Sequence, residues 1–186
     1  MTNDSSAPPR FDGTWRRLSE EGNRASEGDP ARARRAYEGA IVEAERLLAA
    51  AEDPDSEPDL VDAAPVLVLI ACQNAAELER RRGAPAAASR LVARAFERVV
   101  TTAVSPRAPR ALRQSCADNL KHVLEAVIED LPAGDADGLR PFVERAMAAW
   151  LAVRFSADEP AGALAALASG SSRAEPRATP AARKAS

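Results

Sequence analysis

The groups in this chain that could do chemistry are one histidine, two cysteines, and scattered hydroxyls and carboxylates. His122 has no second histidine or cysteine at ligand spacing, so it makes a poor metal site. Its helical neighbours Asp118, Lys121, Glu125 and Glu129 are polar, which puts it on a solvated face. Cys72 and Cys116 sit among apolar residues, where the thiolate is disfavoured and a free thiol acts as a small hydrophobe. Cys116 and His122 fall on different sides of a helix and form no nucleophile–base pair. Ser89, Ser105 and Ser115 lie in no strand–turn–helix elbow, and the chain has no Gly-rich phosphate loop. The pairs Glu125/Glu129 and Glu43/Glu45 have nothing nearby that would raise a carboxyl pKa. The expectation is a non-enzymatic protein without metal or cofactor.

Amides and arginines are the remaining polar groups of interest. Asn23, Asn74 and Asn119 each fall inside a helical pattern, where asparagine is a poor helix former. Two roles fit them. They form an amide ladder gripping a partner's backbone, or they make interhelical hydrogen bonds that fix packing. Arg80-Arg81-Arg82 is a basic cluster at a predicted helix C-terminus. It either complements the helix dipole or recognises a carboxylate-bearing peptide.

These side chains must be positioned by helices. The composition is rich in Ala, Leu, Val, Arg and Glu and poor in aromatics, a helix-forming mixture. A first helix is predicted over about Thr14–Glu27, with Thr14 as its cap and Gly28 ending it in a left-handed conformation. Asp29-Pro30 opens the second, whose stripe Ala33, Ala36, Tyr37, Ala40, Ile41, Ala44, Leu47 and Leu48 keeps 3-and-4 spacing throughout. After an acidic loop at Glu52–Asp59, a third helix runs from Asp59 or Asp62 to Arg82. Pro65 is tolerable if Asp62 is the cap. Val66–Cys72 is apolar all round, which predicts a central, covered helix.

Gly83-Ala84-Pro85 turns the chain into a fourth helix, to about residue 103. Ser105-Pro106 opens a fifth with the stripe Leu112, Cys116, Leu120, Val123, Leu124, Val127, Ile128 and Leu131. A sixth spans about Leu139–Phe155 along Leu139, Phe142, Val143, Ala146, Met147, Trp150 and Val153. Residues 1–12 and the Ala/Ser/Pro/Arg-rich tail 157–186 are expected to be mostly disordered, with a short helix conceivable at Ala161–Ala168. The helical domain is 13–156. The fold class is all-α: about six helices in three antiparallel hairpins, because short turns make consecutive helices antiparallel neighbours.

The hairpins resemble the tetratricopeptide repeat (TPR). That family places a glycine, often followed by Asp, at the turn between paired helices. Small, bulky and small residues then follow at fixed offsets. Gly28, Asp29, Ala33, Tyr37 and Ala40 fill those positions. Gly83, Ala88, Val92 and Ala95 do so again, as do Gly134, Asp135, Leu139, Val143 and Ala146. The first helices depart from the pattern: Arg17, Glu20 and Glu21 stand where the family has Trp, Leu and Gly, whereas Ala76 keeps the small close-packing site in the second unit. The units are 51 to 55 residues apart, longer than the standard repeat of ~34. The resemblance implies a right-handed array that binds a protein or peptide segment on its concave face. In that alignment the groove positions are Ile70, Gln73, Glu77, Arg80 and Arg81.

The formal net charge of −3 gives no pull toward nucleic acid or an anionic membrane. The polar N-terminus and the absence of a full-length apolar span predict a cytoplasmic protein with reduced thiols. The functional expectation is a protein-binding scaffold, adaptor- or co-chaperone-like. Its partner-binding residues would be Gln73, Glu77, Arg80, Arg81, Asn23 and Asn119. The alternative is a helical ligand sensor or enzyme with a pocket between helices three and five, lined by Gln73, Asn74, Asn119 and the thiols.

Overall fold

Asp29 starts the second helix as its type requires: its Oδ1 accepts from the Arg32 amide at 2.9 Å, and Pro30 takes the first helical position. The same device, a proline in the first turn, opens the third and fourth helices. In the computed structural model, residues 10–155 are described, and they form six helices with no strand. These are α1 (Gly13–Ala25), α2 (Pro30–Ala50), α3 (Pro58–Arg81), α4 (Pro85–Val104), α5 (Arg110–Asp130) and α6 (Ala136–Phe155). The expected tail helix at Ala161–Ala168 lies outside the described residues, as do residues 1–9.

Several helix ends differ from expectation, each for a local reason. Arg10–Asp12 form a 3-10 turn leading directly into α1, so helical structure begins before residue 13. Phe11 packs on the core, and buried Asp12 accepts from Arg16 at 2.8 Å. Thr14 is therefore inside α1 and does not cap it. Gly28 is not left-handed; that conformation occurs at Gly83 and Gly134. The chain leaves α1 by a continued right-handed turn, in which the Asp29 amide bonds the Ala25 carbonyl at 2.8 Å, so no left-handed residue is needed.

α3 begins at Pro58, not Asp62, and Pro65 lies buried in its interior. There it leaves the Val61 carbonyl without its helical donor. Ser105 ends α4, and α5 opens after Pro109 rather than at Pro106. Ala108, as a residue before proline, is steered out of helical geometry, which delays the start. α6 starts three residues earlier than expected because Asp135 Oδ1 receives the Gly138 amide at 2.9 Å.

Consecutive helices pack on one another, and α3 also touches α5 and α4 touches α6. The α2 stripe is buried in full. α3 is long and apolar enough to cross a membrane, but most of its apolar stretch is covered by neighbouring helices. Its Leu67, Val68 and Cys72 lie in the middle of the core.

Arginine–carboxylate forks tie each even-numbered helix to the next. Arg94 of α4 donates to Glu45 of α2 at 2.8 and 2.7 Å. Arg145 of α6 grips Glu97 of α4 in the same way, one bond being 2.7 Å. These hydrogen bonds hold both carboxyls below the usual carboxylate range. α4 therefore carries both halves of an Arg-x-x-Glu connector, Arg94 and Glu97. α2 has the acid but Val42 in the arginine slot, and α6 has the arginine but Ala148 in the acid slot. The ladder thus begins at α2 and ends at α6.

The outer face of α6 departs from the expected stripe. Ala146, Ala149, Ala152 and Val153 are buried, whereas Val143, Met147 and Trp150 are exposed, as is Ile128 on α5. No further helix among the described residues covers that side.

Candidate functional site

The C-terminal half of α3 carries Gln73, Glu77, Arg80 and Arg81 at steps of four, three and one, which places all four on one helical face. Glu77 receives both arginines, Arg80 Nη1 at 3.4 Å and Arg81 Nε at 3.6 Å. Arg80 also reaches α5, donating Nη2 to Asp130 Oδ1 at 3.1 Å. Arg80 therefore has a carboxylate on each side. Arg81 keeps only its long contact with Glu77 and is about half exposed (47 %).

Asn23 joins this face from α1. Its Oδ1 accepts the hydroxyl of buried Tyr37 at 2.7 Å. Burial pushes the Tyr37 phenol up, opposed by the charge of Arg81 nearby. Asn23, Tyr37, Arg81, Glu77, Arg80 and Asp130 thus form a polar line running over α1, α2, α3 and α5.

Two placements differ from the sequence expectation. Asn119 does not join the line: its Nδ2 donates to the Ser115 carbonyl of its own helix at 2.9 Å. The helix-fixing bond in that turn comes from Ser115 Oγ, which donates to the Asp62 carbonyl of α3 at 3.3 Å. Arg82 separates from Arg80 and Arg81. It turns to the other side of α3 and bonds Glu79 at 3.1 Å, and Arg34 of α2 meets the same carboxylate at 3.2 Å. Glu79 is almost fully buried, a structural anchor that the sequence reading missed. Asp130 was missed too, although it carried a signal. An acid in the last turn of a helix opposes the dipole and so calls for a cation.

The thiols cannot line an accessible pocket between α3 and α5. Cys72 and Cys116 are 0 % exposed, and burial pushes each up to about 12. In native protein both should therefore be inert to a thiol reagent at neutral pH and should react together on unfolding in guanidinium. Fast labelling of either in folded protein would place it in a site instead.

His122 is exposed and hydrogen-bonds Glu125 at 3.0 Å. Among the described residues no group of His, Cys, Asp and Glu is arranged to hold a metal. Two surface grooves lie away from the α3 face. One, of about 240 Å³, runs between α2, α3 and α4 beside Arg34, Glu79, Arg90 and Leu91. The other, of about 640 Å³, is open and apolar and lies between α5 and α6.

A family described as "Protein of unknown function (DUF2753)" matches residues 13–150, from the start of α1 to near the end of α6. No curated protein and no solved structure matches the chain.

Proposed function

We infer that the chain, which belongs to the DUF2753 family, acts as a non-enzymatic scaffold. It would hold a segment of a partner protein on the face of α1, α3 and α5, as a cytoplasmic, TPR-like array of three hairpins. The observation that carries this reading is the contrast between the two arginines. Arg80 is spent on Asp130 and Glu77, which sets the register of α3 against α5. Arg81, one residue on, holds a half-exposed guanidinium in place with most of its donors unused. A guanidinium held on a central helix can clamp a carboxylate with two bonds and little further loss of entropy. Gln73, one helical turn before Glu77, offers an amide beside it. The complementary ligand is an extended or C-terminal peptide segment carrying a carboxylate.

The test is co-purification of the partner from the native organism, followed by affinity measurement with Arg81→Ala. Binding should weaken by about 1–3 kcal/mol, with stability in urea changed by less than about 0.5 kcal/mol. Arg80→Ala should lower stability as well, because it releases Asp130. A folded Gln73→Ala/Arg81→Ala protein that binds its partner with unchanged affinity would exclude this face.

A further inference from the structure

The outer face of α5 and α6 is a second feature, independent of the α3 face. Of the six exposed large apolar side chains among the described residues, five lie on these two helices: Ile128, Val143, Met147, Trp150 and Phe155. Leu124 of α5 and Met147 and Trp150 of α6 line the open groove between them. The short turn before α6 sets the two helices antiparallel. Ile128 is one turn beyond Leu124 in the direction in which Val143 is one turn beyond Met147, so these two prolong the apolar strip. Trp150 is held edge to face by Phe155, with ring centroids 6.4 Å apart. Apolar surface gathered in one strip around a fixed tryptophan marks an interaction site.

We propose that this face pairs with the same face of a second copy of the chain, as a two-fold symmetric dimer. Its size suits a folded partner rather than a single peptide strand. Two helices side by side present a face of roughly 30 Å by 22 Å, of the order of the ~800 Å² that each partner buries in a standard interface.

Charge points to self-pairing. The ion pairs of α6 use Arg140 and Arg145. Among the described residues neither Glu144 nor Arg154 has one, and these two flank the strip toward its opposite ends. A two-fold axis at the middle of the strip lays one α6 reversed on the other, with Met147 on Trp150 of the second copy. Glu144 is three residues before Met147, and Arg154 is four after Trp150. The same register therefore brings Glu144 level with Arg154 of the second copy to within one residue, about 1.5 Å. By symmetry that ion pair forms twice. Asp118 and Lys121 stand on the α5 wall of the groove and leave it without net charge. A strip acidic toward one end and basic toward the other is complementary to itself reversed, as an isologous interface requires.

The test is the mass of the full-length chain in solution, by light scattering over a range of concentrations, with helix content followed by circular dichroism. The native chain should be a dimer. Glu144→Arg and Arg154→Glu should each raise its dissociation constant about tenfold or more, because each sets like charges opposite one another. The double reversal Glu144→Arg/Arg154→Glu should restore dimerisation. Trp150→Glu with native helix content should be monomeric. A native chain that stays monomeric at every concentration would overturn the proposal, since another protein or another part of this chain would then be the cover. So would a dimer that both single reversals leave intact, or one that the double reversal fails to recover.

Discussion

Replacing Phe96 by alanine should destabilise the protein by about 3–5 kcal/mol, among the largest effects of any single truncation in this chain. Phe96 is 0 % exposed and packs edge-to-face on Phe142 of α6, with ring centroids 4.9 Å apart. The Arg145 guanidinium lies over the Phe96 ring at 5.4 Å while it grips Glu97. Truncation therefore removes a core ring, an aromatic pair and the platform under one rung of the ladder. Among the described residues little else holds α6, since none of them covers its outer face and its buried contacts are mostly alanine. Urea unfolding should show a large fall in midpoint, and hydrogen exchange should show α6 loosening first. A loss below about 1 kcal/mol would mean that the α4–α6 contact adds little to the fold.

Gly22→Val should cost about 3 kcal/mol, at the upper end of what overpacking a core produces. Glycine inside a helix ordinarily disfavours it by up to about 1 kcal/mol relative to alanine, so a substitution here would by propensity alone be stabilising. Packing reverses the sign. A Cβ on Gly22 would overlap the ring of Tyr37, which is buried and held by its hydroxyl to Asn23. The ring cannot swing aside without giving up that bond and the α1–α2 contact. Gly28→Ala is the matched control, because nothing lies near its Cβ and its φ is not positive. It should be close to neutral. Equal thermal denaturation midpoints for Gly22→Val and native protein would show that α1 is not docked through this crossing.

The close approach at Gly22 also bears on the tetratricopeptide resemblance. The register derived from Tyr37 placed the small residue of the first unit at Glu21, where it is absent. The structure puts the tight crossing one residue later. By propensity alone Gly22 only weakens α1. The geometry shows a helix pair brought together at the one residue whose side chain is missing.

The sequence by itself determined the helical class, the stripe of α2, the turns at Gly83 and Gly134 and the central place of α3. Each is written within a few residues, in the 3.6-residue period, in a proline at a first turn, or in the freedom of glycine. The burial of both thiols was legible for the same reason, because their apolar neighbours are local. What only the tertiary structure decided is which polar groups meet. Arg80 finds Asp130, Arg94 finds Glu45 and Arg145 finds Glu97 across 48 to 50 residues of chain. Arg82, just past the end of α3, lies about 200° round the helix from Arg80 and so meets Glu79 instead. The outer face of α6, which no other described residue covers, has the period of a core helix; periodicity says which side is apolar, but not what lies against it. Such pairings depend on the rotation and sliding of whole helices against one another, and those follow from how all the stripes pack together rather than from any stretch of sequence alone.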